Sequence, residues 1–421
     1  MTALTALLIL IVVMVIGVPI PLSFLASAAY ICFVNGTDHL MLFTYGFRVQ
    51  NTILLLTIPL FVMAGAVIDK GGIGEKLIEG LERFSKGSKV ALGTVTIVAC
   101  AIFGAVSGSA SATTSCIGSI MTPRLKENGY TAGHIGALLA SSGVLGIMIP
   151  PSILMILYAW GTGTSVLACF LATIVPGIIL IILFSLVNAW LVKHEGPESP
   201  EARAALEQML IDAQKKEAEK KLVKAEREKR KGGTSAIPAV LMPIFLLGGI
   251  YGGVFTTTEG AAFSVLYSLV IGIFYYRKID FPTFRKTLSQ SGETAGTIMV
   301  MLFMVSILSR LYMTENLPDT ILNTLTSISS NRIILLLMIN LFMIIIGMLM
   351  DDCSGTTLCG PILMPVMGAL GVTPVQFAAI LSVNIGMGNV TPPTAPLLYL
   401  GGRVAGAQVK DMLKPTFILI V

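Results

Sequence analysis

The sequence predicts an all-α polytopic membrane protein, and composition, run length and the spacing of helix breaks are the three observations that do so. Of 421 residues, 54% are apolar and 12% charged, with a mean hydropathy of +0.85, more than a soluble domain keeps in solution. Apolar runs at 52–68, 135–157, 170–192 and 333–350 approach or exceed the roughly 18 to 20 residues that cross a hydrocarbon core. Barrel strands need about ten residues of alternating polarity per pass, a pattern these runs lack. The first apolar stretch has no basic flank and continues past Gly17, unlike a cleavable signal peptide. The lipid bilayer is therefore the expected solvent.

The net charge of +5 does not indicate nucleic acid, because the basic residues fall between membrane segments, where topology explains them. Cys32, Cys100, Cys116, Cys169, Cys353 and Cys359 lack CxxC spacing, and His39, His134 and His194 are far apart. Neither a disulfide frame nor a zinc site is expected. No cofactor is implied.

Membrane segments are expected at 4–34, 51–69, 89–123, 132–168, 170–192, 236–253, 258–276, 294–313, 332–368 and 374–402, with a last one beginning near 411 and apparently incomplete at Val421. Segments 89–123 and 332–368 are too long for one pass and carry a Gly/Ser/Thr cluster at mid-length. Each reads as a re-entrant hairpin whose tip stops inside the membrane. With that assumption and the N-terminus in the cytoplasm, three of the 28 basic residues fall outside the cytoplasmic loops: Arg48, Arg310 and Arg332. This is the positive-inside bias. The polar stretch 194–235 opens with Ser199-Pro200-Glu201 and closes with Gly232-Gly233, start and stop signals for a cytoplasmic helix of about 30 residues. It divides the chain into a first membrane repeat, 1–193, a charged linker, and a second repeat, 236–421.

The repeat is internal and ungapped. An offset of 242 residues pairs Gly118 with Gly360, Ile120 with Ile362, Pro123 with Pro365, Gly129 with Gly371, Thr131 with Thr373, Ala137 with Ala379, Gly146 with Gly388, and Pro150-Pro151 with Pro392-Pro393. One pass, an amphipathic connector (70–88, 314–331), the hairpin and a broken helix follow in the same order in both copies. The basic loops place the ends of the first hairpin in the cytoplasm and those of the second outside, so the copies are inverted. Inverted repeats with interrupted helices are a common architecture of secondary transporters.

Chemistry is expected where the backbone breaks at membrane depth. The first tip reads Val106-Ser107-Gly108-Ser109-Ala110-Ser111-Ala112-Thr113-Thr114 and the second Asp351-Asp352-Cys353-Ser354-Gly355-Thr356-Thr357. Non-helical backbone there must be satisfied by protein, water or ions. Small residues also mark tight helix packing, but two such clusters at matching positions point to ligand binding. The breaks Gly146-Ile147-Met148-Ile149-Pro150-Pro151-Ser152 and Gly388-Asn389-Val390-Thr391-Pro392-Pro393-Thr394 each free carbonyls for a cation while the following half-helix offers N–H groups to an anion. A single proline is commonly only a kink. Asp351 and Asp352 end an apolar run, where a carboxylate serves an ion path or caps the next half-helix. Asn389, Thr391 and Thr394 are candidates to contact substrate, with Ser152 at the matching break and Glu259 as a weaker one. Arg310 either neutralises a carboxylate substrate or snorkels to the interface. No GxxxxGK[ST] phosphate loop occurs, leaving an ion gradient as the ordinary drive.

These residues resemble the large membrane subunit of the tripartite ATP-independent periplasmic (TRAP) transporters. The features that carry the likeness are Gly17-Val18-Pro19-Ile20, the serine-rich tip ending in Pro123, Asn128-Gly129-Tyr130, residues 146–152 followed by Tyr158, Gly252-Gly253 with Thr258-Glu259-Gly260-Ala261, and residues 388–393. The resemblance implies an elevator-type importer of the bacterial inner membrane. It would be Na⁺-driven, paired with a small membrane subunit of about four helices and fed a carboxylate by a periplasmic solute-binding protein. It further implies Na⁺ at Ser107, Ser109, Ser111, Gly146 and Ile149 in one site, and at Asp352, Thr356, Gly388 and Thr391 in the other. The basic linker is unusual for that family. Two rivals remain: a self-sufficient Na⁺ or H⁺/carboxylate symporter, and a non-transport membrane subunit.

Overall fold

The computed structural model describes residues 2–82, 88–194, 233, 235–392 and 394–420, and among these all regular structure is helical. The expected linker helix lies outside the described residues, as does Pro393. Six helices among the described residues are long and apolar enough to cross a membrane, or seven if one bent pair is a single span. Val166–His194 turns Leu171, Val175, Ile182 and Leu186 outward, the surface a bilayer would cover. The chain is a multi-pass membrane protein.

The first expected segment, 4–34, is corrected by the structure: it is two helices, α1 (Thr2–Val15) and α2 (Ile20–Asn35), packed on each other. Gly17 takes φ +94°, a conformation that glycine alone adopts cheaply, and Pro19 precedes the new helix. The Ser27 hydroxyl donates to the Ala6 carbonyl at 2.8 Å; on one straight helix those residues would stand about 31 Å apart. Thr2 and Asn35 therefore share one end of the pair. The expected cytoplasmic N-terminus, which rested on a single pass, loses its basis. α3 (His39–Gln50), α4 (Thr57–Lys70) and the short α5 (Ile73–Glu82) follow.

Both long segments fold back on themselves. α6 (Lys89–Ser107) turns at Gly108 (φ +61°) into α7 (Ala110–Glu127), which Ser109 caps by accepting from the Ala112 N–H. At the base of this hairpin Lys89 Nζ donates to the Gly129 carbonyl at 2.6 Å, and the Tyr130 hydroxyl donates to the Lys89 carbonyl at 2.8 Å. α8 (Ala132–Gly143) and α9 (Leu145–Met148) lead to a break before α10 (Ile153–Thr162), bent by 46°. α11 (Val166–His194) closes the first half.

In the second half α12 (Ile237–Tyr251) and α13 (Thr257–Val270) form another antiparallel pair, tied by the Tyr267 hydroxyl on the Pro238 carbonyl. α14 runs Phe281–Thr314 as one 34-residue helix, so the expected pass at 294–313 begins 13 residues too late. Asp280 caps it by accepting from the Thr283 N–H, and Pro282 suits its first turn. After α15 (Leu317–Ile328), α16 (Arg332–Leu349) and α17 (Asp352–Ala369) make the second hairpin. Asp351 caps α17, and the Arg332 guanidinium donates to the Gly371 carbonyl at 3.4 Å. α18 (Pro374–Gly388) ends at the second break, which leads to α19 (Pro396–Ala405) and α20 (Val409–Ile420).

Close backbone contacts set how these pieces meet. A Cβ on Gly104 would lie 2.4 Å from the Gly146 Cα, and one on Gly388 would lie 2.6 Å from the Gly347 Cα. Each hairpin thus touches its broken helix through a pair of glycines. At the centre, a Cβ on Gly386 would lie 2.4 Å from Val144. α10 packs along α17, α19 packs along α7, and α4 lies against α14. The fully buried Tyr158 donates to the Pro374 carbonyl at 2.7 Å, binding one half to the other.

Candidate functional site

Four elements converge on a cleft of about 300 Å³. One wall is helical frame: Gly65 and Asp69 from α4, with Gln290, Ser291 and Thr294 from α14. The other is made of hairpin tips: Ser107, Gly108, Ser109 and Ser111 from the first, Asp352 and Cys353 from the second. The tips come together because each α-helical arm ends at a residue that must cap the next. Gly108 then locks onto the first break, its carbonyl accepting from the Ile153 N–H at 3.3 Å. α7, α10 and α17 all begin near this centre, their first N–H groups held by the Ser109, Ser152 and Asp351 caps and the Gly108 carbonyl, and each turns the positive end of its dipole toward it.

At the second tip the Asp352 carboxylate accepts from the Asn389 amide. Thr356 stands one helical turn after Asp352, hence on the same face. The Thr356 hydroxyl and the Asn389 side-chain oxygen are buried without a hydrogen-bond partner, a costly state for polar atoms unless a ligand completes them. Carboxylate, amide and hydroxyl oxygens with no nitrogen or sulfur ligand are a hard donor set, suited to an alkali or alkaline-earth cation. Among the described residues no cluster of three His, Cys, Asp or Glu is placed to hold a metal. Gly388 makes the close glycine contact, and the Thr391 hydroxyl donates to the Met387 carbonyl at 2.8 Å, tightening the turn into the break.

The first tip is built from hydroxyls. Ser107 and Thr113 hydroxyls lie 3.2 Å apart, and Thr113 donates to the Ser109 carbonyl at 2.8 Å. Ser111 is exposed into the cleft. A Cβ on Gly146 would meet the Thr113 oxygen at 2.5 Å, so this glycine lets the break approach the tip. Ile149 stands at the break, its side chain against Gly177. Thr114, Ser141 and Ser142 carry buried hydroxyl oxygens without partners. Thr113 and Thr114 lie in the hydroxyl-rich tip read from the sequence but were not among its expected ion ligands; the offset of 242 places Thr114 opposite Thr356.

The expected substrate residues are dispersed. Asn389 reaches the cleft through Asp352; Ser152 is fully buried, caps α10 and donates to the Ile147 carbonyl. Thr394 is exposed and does not line the cleft. Glu259 closes a capping box with Thr256. Arg310 lies in a separate crevice, its guanidinium 5.5 Å from the Tyr45 ring centroid. Gln290, Ser291 and Thr294 were missed because hydropathy alone starts this helix near residue 294. The buried Ser291 hydroxyl has no partner, so it is free to contact a solute.

Comparison with known proteins gives one consistent answer. The family described as tripartite ATP-independent periplasmic transporter, DctM component, matches residues 7–421. The isethionate TRAP transporter permease protein DctMQ of Oleidesulfovibrio alaskensis is 30% identical over 97% of the chain, which spans 61% of that protein's length. The C4-dicarboxylate TRAP transporter large permease protein DctM of Pseudomonas aeruginosa is 30% identical over 89% of the chain and 84% of its own length. The sialic acid TRAP transporter large permease protein SiaM of Vibrio cholerae is 29% identical over 87% and 82%. Among solved structures, the YdaH transporter of Alcanivorax borkumensis aligns with a TM-score of 0.53 at 13% identity, covering 92% of the chain and 86% of its own, a likeness of fold alone.

Proposed function

Because the chain belongs to the DctM component family of tripartite ATP-independent periplasmic transporters and is a large permease subunit like its relatives, we propose that it is the Na⁺-coupled importing unit for a small organic anion, a carboxylate foremost. It is a transporter subunit and not an enzyme, since those relatives are permeases. Two hairpin tips and the first helix break line one cleft, the second break reaches it through Asn389 on Asp352, and unpartnered buried oxygens lie behind the tips at Thr114, Thr356 and Asn389; that arrangement is the principal support. Cations at these oxygens neutralise a buried site so that an anion can enter the cleft beside them.

Repetition of the two halves is supported by contacts that recur between them, one partner shifted by 242 residues and the other by 243. Lys89 on Gly129 corresponds to Arg332 on Gly371, and Gly146 against Gly104 corresponds to Gly388 against Gly347. Val144 touches Gly386, its own repeat mate, as residues beside a pseudo-two-fold axis must. Exchange of conformations between inverted halves moves the opening from one side to the other. In an elevator, α4 and α14 form the frame and the tips with α10, α17 and α18 form the body that slides along it. The basic loops put the base of the first hairpin in the cytoplasm and that of the second outside. With α1 folded back on α2, that orientation predicts an N-terminus outside. A separate small membrane subunit, a periplasmic binding protein and the bacterial inner membrane complete the system. The exposed apolar faces of α1 to α3, including Leu8, Phe33 and Phe47, are available to lipid or to that subunit.

The test is uptake into proteoliposomes holding the chain, its small subunit and its binding protein, with succinate, sialic acid and isethionate as solutes under an imposed Na⁺ gradient. Asp352→Asn and Thr391→Ala should lose Na⁺ dependence; unchanged Na⁺ activation in both variants would refute the assignment. Equal uptake by the chain without its partners would favour a self-sufficient symporter instead.

A further inference from the structure

A second crevice, of about 290 Å³, opens along α14 between Ser306 and Met313. One wall comes from α3 and α14, with Tyr45, Ser306, Ser309 and Arg310; the other comes from α10 and α17, with Trp160 and Thr357. Arg310 and Ile298, the residue of the central cleft nearest to it on this helix, are 12 residues apart, about 18 Å by helical rise. A group held at Arg310 is therefore not in the central cleft.

Arg310 has no carboxylate within 4 Å among the described residues. The neighbouring Glu315 accepts instead from the Asn35 amide. Snorkelling alone accounts for an arginine near a helix end, but not for its place in a recess. Ser309 is a buried residue whose side chain lines the crevice. Ser306 and Thr357 hydroxyls bond only to carbonyls of their own helices and can turn to a ligand. Of the few basic residues on this end of the molecule, Arg332 already holds the Gly371 carbonyl. An unpaired guanidinium with hydroxyl donors in a partly dry recess is an anion site, and low-dielectric walls focus its field.

We propose that this crevice is an outer subsite in which Arg310 and Ser309 hold the carboxylate of the arriving solute before it passes along the α14–α17 seam to the second tip. The proposal rests on the transport function given above. The seam runs along α17 from Thr357, in the crevice, to Cys353, in the central cleft, one helical turn away, and the Ser354 hydroxyl on the Met301 sulfur at 2.7 Å closes it in this conformation. A bidentate guanidinium at its mouth selects anions and raises their local concentration without touching the Na⁺ oxygens.

The experiment uses the reconstituted complex and whichever of succinate, sialic acid or isethionate the unaltered complex transports. Arg310→Gln should raise the half-saturating solute concentration about tenfold, keep the maximal rate within about twofold, and leave the Na⁺ requirement unchanged; Arg310→Lys should recover part of the loss. Trp160 lines the crevice, so the difference in emission between the complex and its Trp160→Phe counterpart reports it. It should respond to the solute, and cease to respond in Arg310→Gln. An unaltered half-saturation in Arg310→Gln, or a solute response of Trp160 that survives it, would overturn the outer subsite while leaving transport intact. If the unaltered complex moves none of the three solutes under a Na⁺ gradient, the transport function itself fails and the subsite falls with it.

Discussion

Thr114 and Thr356 occupy equivalent places one helical turn into α7 and α17, and each carries a hydroxyl oxygen sealed from water without a partner. Removing a polar contact to a charged ligand costs about 1.5–3 kcal/mol, so Thr114→Val and Thr356→Val should each raise the half-saturating Na⁺ concentration about tenfold or more. A Na⁺ titration of solute uptake checks this, and curves superimposing on that of the unaltered chain would remove both residues from the ion sites. Asp352 was legible in the sequence because a carboxylate inside an apolar run has few innocent explanations. Thr114 was not, because the hydroxyls from Ser107 to Thr114 crowd one tip and only the fold distinguishes those that bond to neighbours from those left open. Arg310 was legible as a candidate, yet its distance from the Asp352 cleft depends on the full length of α14.

At the scale of elements, glycine contacts decide whether a hairpin can dock on its broken helix. Gly104→Ala and Gly388→Ala press a methyl group against backbone at 2.4 and 2.6 Å. Such overpacking costs about 1–3 kcal/mol. Gly248→Ala and Gly292→Ala meet nothing within 4 Å and should change stability by about 0.5 kcal/mol or less. Thermal unfolding of the four variants in detergent separates the pairs; equal melting temperatures would mean the close contacts do not hold each hairpin on its broken helix. The hairpins and the proline breaks could be read from sequence because length and Gly/Ser/Pro placement are local features. The fold-back of α1 on α2 could not: hydropathy sees about thirty apolar residues, while the reversal turns on the single positive φ of Gly17 and on packing of Ala6 against Ser27. The start of α14 at Phe281 was hidden for a different reason. Asp280 and Pro282 announce a helix there, but Gln290, Ser291 and Glu293 lower the local hydropathy that marks a membrane pass.

For the whole molecule, the two halves enclose one cleft from opposite directions, and sidedness is what turns that arrangement into transport. The repeat offset gave the correspondence of the halves, but the side of the N-terminus required the α1–α2 hairpin as well. In a cysteine-free background, Thr2→Cys and Asp38→Cys should be labelled from the same side of the membrane by an impermeant maleimide, and Lys193→Cys from the other. The most direct test of the central claim uses the bases of the two hairpins, with Asn128→Cys in the first and Ala369→Cys in the second, both exposed. Oppositely inserted hairpins predict that Asn128→Cys reacts only in inside-out vesicles and Ala369→Cys only in right-side-out ones. Labelling of both from one side would contradict the account.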